Sequence, residues 1–270
     1  EYYGDRILKL QNRLLLDKTM LVQADKLLLP QFRHLQALLA LIKPLLAEGE
    51  YDKMRKLLAE PAGTLNVLFR YKRLLQQWQL LQGTAGSSFL QRPQLAEKLT
   101  EEIENILAEV DKQLQQGVYS HCIFKLLAWT EQSLWQNSYY VEVEQLAGCR
   151  IEDWYNMLKE LDIKGDKIDE AQAQSILRIC EVIYYARRSL KIDRLSKTVW
   201  KDVKELYQRI QILVYDVYSS KCLLNCVKGN NSRALYRDGG LLLGWRLQAL
   251  QSANAKALKA YEKLLEDMKK

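Results

Sequence analysis

Histidine is nearly missing from this chain: His34 and His121 are the only two in 270 residues. A metal centre needs several ligands converging at fixed spacing. Neither histidine follows a Glu-x-x, so the di-iron bundle arrangement is missing too. His121 adjoins Cys122, and neighbours in a helix do not face one another, so that pair makes no nucleophile and base. Proline is scarce, with four residues (Pro30, Pro44, Pro61, Pro93), and the twelve glycines form no phosphate-binding loop of the Walker or dinucleotide kind. No Asp-Asp-x-x-Asp cluster of the isoprenoid-synthase type occurs, and the turn at 162–166 lacks the ligand alternation of a calcium loop. The longest apolar run, 35–42, stops at Lys43 and Pro44, well short of the roughly twenty residues a membrane helix needs.

Five cysteines (Cys122, Cys149, Cys180, Cys222, Cys226) make an odd set, most of them inside apolar helical patterns. They read as reduced thiols of a soluble intracellular protein, although the start at Glu1 leaves room for a removed leader. Cys222 and Cys226 share a helix face, where the burial habits of free cysteine favour a core role.

What the chain has in abundance is leucine, lysine, glutamine, glutamate and alanine, all helix formers. The expected fold is all-α, a bundle or irregular array of about nine to eleven helices without significant sheet. Its centre is 167–228, read as two long helices joined near Lys191, Ile192 and Asp193. Ile176, Ile179, Ile183, Ala186 and Leu190 line one stripe; Val199, Val203, Leu206, Ile210, Leu213 and Val217 line the other.

The rest follows from period and punctuation. A first helix is expected from Asp5 to Leu29, ended by Pro30. A second runs to Glu48, broken at Pro44 and closed at Gly49. A short helix over 51–60 precedes a turn at Pro61 and Gly63, and Thr64 caps a helix reaching Leu81. Residues 83–92, small and polar, read as a linker between an N-terminal part (1–82) and a C-terminal part (93–270). The helix after Pro93 carries Leu99, Ile103, Ile106, Val110 and Leu114 opposite a densely acidic side. Residues 118–146 read as helix despite the alternation at 139–144, and Gly148 ends that segment before a short helix over 151–161. Asp166 and Asp169 favour the positive end of the next helix. Residues 229–240 read as a second loop, whose closing glycines and arginines could hold an anion but more simply make a connector. The last helix places Leu243, Leu247, Leu250, Ala257, Tyr261 and Leu264 in register.

Charge is segregated. Residues 1–100 hold 15 Lys+Arg against 9 Asp+Glu; 101–170 hold 6 against 15; 171–270 hold 19 against 9. A basic, acidic, basic order suits protein partners, nucleic acid, or the chain's own acidic block at 101–170. The basic candidates are Arg187, Arg188, Lys191, Arg194, Lys197, Lys201 and Lys204, interleaved with Tyr184, Tyr185 and Trp200, and then Arg233 and Arg237. Arginine forks grip phosphate, and exposed aromatics stack on unpaired bases. With no assembled catalytic set, metal site or cofactor motif, the expected function is a non-enzymatic scaffold or adaptor that binds protein partners through charged helix faces. An RNA- or DNA-binding subunit using 187–204 and 233–246 is the first alternative. An all-α enzyme built from residues distant in sequence is the second. No cofactor, metal or small-molecule ligand is expected.

Overall fold

The computed structural model of the chain describes residues 2–84, 94–132, 143–161, 163, 167–190, 197–218, 220–228 and 232–267. Among them the fold is all-α, as expected, with ten α-helices and no sheet: α1 (Tyr2–Leu16), α2 (Ala24–Ile42), α3 (Glu50–Thr84), α4 (Gln94–Gln115), α5 (Val118–Gln132), α6 (Val143–Lys159), α7 (Glu170–Leu190), α8 (Lys197–Gln211), α9 (Lys221–Val227) and α10 (Arg233–Asp267). None of the described helices is long and apolar enough to cross a membrane.

The chain divides into two compact units. The first comprises Glu1–Val67, Leu107–Glu160 and Arg178–Lys197; the second comprises Leu68–Ile106, Leu161–Leu177 and Thr198–Lys270. In the first, α1 lies against α2 and α5, and α2 also meets α6. Gly4 sits so close to α5 that a Cβ there would come within 3.0 Å of the Ile123 side chain. Ile7, Leu14, Leu28, Phe32, Leu58, Leu65, Leu114 and Ile123 are wholly buried. Each such side chain contributes about 1.5–3 kcal/mol relative to exposure. In the second unit α10 packs on α9 and on the segment after α8. Trp78, Leu95, Leu99, Val203, Leu206, Ile210, Leu242 and Leu264 are buried there.

Proline and glycine break fewer helices than expected. Pro30 lies inside α2; the chain breaks earlier, at Asp17, whose side chain accepts the Thr19 N–H at 3.0 Å and starts a 3₁₀ stretch, Lys18–Gln23. A side chain that offers its own backbone an acceptor competes with helix propagation. Pro44 does break α2, within the 3₁₀ turn Lys43–Leu45, and Gly49 follows at φ +82.

Pro61 and Gly63 do not separate two helices, because α3 runs straight through them. A proline at 61 cannot bond the carbonyl of Leu57, four residues back. Here the Cys122 thiol donates to that carbonyl at 3.4 Å, supplying the missing partner from α5. Gly148 likewise lies within α6.

The α7 entry is a capping box. Asp169 Oδ1 accepts the Gln172 N–H at 2.7 Å, and Gln172 Oε1 accepts the Asp169 N–H at 3.0 Å. Asp166 lies outside the described residues. The stripe beyond is buried at Ile176, Ile183 and Ala186, and that of α8 at Val203, Leu206 and Ile210.

The second long helix, however, is interrupted. After α8 comes a π-helical segment, Ile212–Tyr218, and α9 begins after Ser220. A π-turn leaves carbonyls out of the ordinary i→i+4 ladder, and these tend to find other donors. Arg246, 1% exposed, donates Nε to the Asp216 carbonyl and Nη2 to that of Tyr215, while Gln77 Nε2 reaches the Asp216 carbonyl at 3.1 Å. The Asp216 carboxylate takes both arms of Arg73 at 2.5 Å.

The second expected loop is mostly helix. Residues 233–240 form the first two turns of α10, with Gly239 against α9, where a Cβ would fall 2.7 Å from Val227 Cγ2. The helix therefore starts at Ser232 and Arg233 rather than after the two glycines. Most of the linker at 83–92 and of the alternating stretch 139–144 lies outside the described residues; the described ends, 83–84 and 143–144, are helical.

Candidate protein-binding face

The basic residues singled out from the sequence occupy different settings. Arg187 is half-buried near Tyr155. Arg188 is exposed, but its Nη1 donates to the Tyr184 hydroxyl at 2.9 Å and its guanidinium lies 5.5 Å from that ring. Lys191 and Arg194 lie outside the described residues. Lys197, Lys201 and Lys204 recur at spacings of four and three along α8 and are all exposed. Arg237 is engaged inside the chain: its Nη2 meets the buried Asp238 carboxylate at 2.8 Å. Arg233 is exposed and has no ion partner among the described residues.

His34 and Cys122 are held in settings that oppose proton transfer and nucleophilic attack. His34 is clamped between Tyr3, stacked at 4.3 Å, and the edge of Tyr185 at 4.7 Å. Its Nδ1 is 2.9 Å from Ser189 Oγ, whose own hydrogen goes to the Tyr185 carbonyl at 2.8 Å. Nδ1 must then carry the hydrogen, so His34 cannot draw a proton from Ser189 through it. Cys122 lines a cavity of about 420 Å³ with Glu60 and the exposed His121. Burial pushes its thiol up to about 12, so it stays protonated and weakly nucleophilic. Cys222 and Cys226 are buried and free, as their apolar spacing suggested. The described residues hold no cluster of three or more histidine, cysteine or carboxylate side chains that could bind a metal.

The clamp on His34 has a measurable consequence. Burial, and then the charge of Arg188, lower its pKa from 6.5 to about 4. The unfolded chain takes up this proton below about pH 6.5 and the folded chain only near 4. Stability is therefore full above that window and falls as pH drops through it. The full difference is worth at most ~3 kcal/mol, and solvent screening of this incompletely buried ring reduces it to about 1–2 kcal/mol. Comparing urea midpoints near neutrality and near pH 4.5, His34→Phe should lose less than the unsubstituted chain. Equal losses would contradict this account.

The feature that stands out is the outer face of α10. Tyr236, Leu243 and Leu247 are 52%, 36% and 59% exposed, and Gly240 and Gly244, also exposed, have nothing within 4 Å of where a Cβ would stand. At 100° per residue these five fall on one stripe about 100° wide, while Leu235, Gly239, Leu242 and Arg246 face inward. The register expected for Leu243 and Leu247 is thus corrected: they lie outside, and only Ala257, Tyr261 and Leu264 of that series are buried. The sequence hid this because the inward stripe of the first turns contains Asp238 and Arg246, which look like surface residues. Along this stretch of the chain, exposed charge has one sign. From Lys221 to Gln251 the exposed ionic residues are Lys221, Lys228, Arg233 and Arg237, and the single acid, Asp238, is buried.

Comparison with known proteins gives a fold and no family. The chain is similar in structure to PptA from Streptomyces chartreusis, with a TM-score of 0.70 and 15% identity over 97% of this chain and 95% of that one. No family model and no curated protein matches.

Proposed function

We propose that this protein is a non-enzymatic helical scaffold whose α10 face receives an amphipathic helix with acidic flanks from a protein partner. The observation that carries this reading is the apolar stripe Tyr236–Gly240–Leu243–Gly244–Leu247, exposed on a helix whose own chain segment carries exposed charge of basic sign alone. Contiguous exposed apolar surface marks interaction sites more often than isolated leucines do. The two glycines let a partner backbone approach closely, while Tyr236 and Leu247 supply large side chains able to anchor it. Arg233, at the N-terminal end of the stripe, sets charge preference and orientation rather than bulk affinity.

The test uses two labelled helical peptides with the same leucine stripe, one flanked by glutamate and one by lysine, titrated into the full chain by fluorescence anisotropy. The acidic peptide should bind preferentially. Leu243→Glu with Leu247→Glu should weaken it at least about tenfold while leaving the circular dichroism unchanged, and Arg233→Glu should narrow the preference. Equal binding of both peptides, or indifference to Leu247, overturns the proposal. Salt-sensitive binding of single-stranded RNA, lost when Lys201 and Lys204 are replaced, would assign the basic faces to phosphate instead.

A further inference from the structure

A groove in the first unit, separate from the α10 face, carries a second assignment. It lies between α2, the start of α3 and α7, encloses about 330 Å³, and brings in one arginine from each: Arg33, Arg55 and Arg178. Among the described residues the only acid lining it is Glu181, and those lining residues carry a formal charge of +2. The floor is made of small side chains, Ala37, Ala40 and Ala59, and Tyr51 forms a wall.

The three guanidiniums are not equivalent. Arg33 is the fixed one: its Nε lies 3.1 Å from Glu181 Oε1, its Nη2 is 3.5 Å from Asn66 Oδ1, and its side chain is only 10% exposed. That pair neutralises itself. Arg55 touches Asp52 at 3.3 Å, but both side chains are more than half exposed, so the contact is weak and easily exchanged. Arg178 has no hydrogen-bond or ion partner among the described residues. Lys43 adds a further cation, 4.9 Å from the ring of Tyr51. Two guanidiniums on different helices, one of them only loosely paired with Asp52, therefore line one small-floored groove. Like charges gathered this way destabilise one another unless an anion joins them.

The geometry points to a binding site for a small phosphomonoester, held by the forks of Arg55 and Arg178. Charge and size both select this class. A phosphomonoester carries about −1.5 to −2 at neutral pH, matching the +2 of the lining, and its oxygens accept paired N–H donors from an arginine fork. The groove is small, about 330 Å³, and open on one side, so it seats a phosphate with a short carbon skeleton while the remainder of a larger ester would extend into solvent. The alanine floor and Tyr51 would take the carbon skeleton.

Titration calorimetry of the full chain with glycerol 3-phosphate tests this, with glycerol and citrate as the other arms. The phosphate ester should bind saturably at one site in the millimolar range or tighter, and glycerol should not bind. Arg178→Ala and Arg55→Ala should each weaken binding at least about tenfold, and Arg178→Lys should recover part of it. Ala59→Trp fills the groove without removing a charge, and should abolish binding. Absence of binding by the phosphate ester overturns the assignment. So does citrate binding equally tightly through Arg178, which would make this a carboxylate site. Undiminished affinity in Ala59→Trp would show that general surface charge, and no groove, holds the anion. None of these results bears on the α10 peptide, so the two assignments stand or fall separately.

Discussion

Arg246→Ala should lower the unfolding free energy by about 3–4 kcal/mol, a large share of the 5–15 kcal/mol typical of a folded domain. The guanidinium is 1% exposed and donates to the carbonyls of Asp216 and Tyr215. Hydrogen bonds from a charged donor contribute about 1.5–3 kcal/mol each. Alanine would remove both and leave a cavity against the π-helical segment. Burial lowers the pKa of this arginine, and the charge of Asp216 works against that fall.

Replacing a buried ion is sometimes neutral, when its partner is removed or repacked with it. Here the partners are main-chain carbonyls that cannot be removed, and the Asp216 carboxylate keeps Arg73. Arg246→Lys should recover only part of the loss, since one ammonium lacks the two-armed reach. Urea denaturation gives the answer directly. A loss below about 1 kcal/mol would mean that the π-segment does not depend on this anchor.

Asn254→Leu is the second large loss, expected at about 2–4 kcal/mol. The Asn254 amide pairs with Ile168 as a backbone would. Oδ1 accepts the Ile168 N–H at 2.8 Å, and Nδ2 donates to the Ile168 carbonyl at 2.6 Å and to the Tyr218 hydroxyl at 3.1 Å. Tyr218 in turn donates to the same carbonyl at 2.5 Å. Leucine leaves the Ile168 N–H buried without a partner, whereas the carbonyl retains Tyr218. Tyr218→Phe should therefore cost less than Asn254→Leu, and the double variant should cost more than the sum, because either residue alone still satisfies the one carbonyl they share. Strict additivity in denaturant melts would refute a shared network.

The helical class was legible because most stripes here are clean. In α4, Leu99, Ile103, Val110 and Leu114 are buried and the acids opposite are mostly exposed, as spacing alone indicates. Part of that acidic side is matched within the chain, since Lys98 meets Glu101 and Glu102 at 2.9 and 3.1 Å. What spacing could not show were places where a remote group changes the local outcome. Pro61 reads as a terminus until a thiol from another helix satisfies the carbonyl it strands. The run from Ile212 to Tyr218 reads as plain α-helix until Arg246, some thirty residues on, supplies donors that a wider turn requires. The α10 face was missed for the same reason, since its inward side is built from an aspartate, an arginine and a glycine. The arginine groove draws its three cations from positions 33, 55 and 178, a separation that no local window spans.

The thiol on the Leu57 carbonyl ties two distant positions into one unit of inheritance. While residue 61 is a proline, residue 122 must bring a small donor to α3. Were 61 to become an ordinary residue with its own N–H, cysteine at 122 would lose its purpose and drift freely toward alanine or valine. Chains of this fold should accordingly exchange the two together, and a lone proline at 61 without a donor opposite should mark a bent third helix.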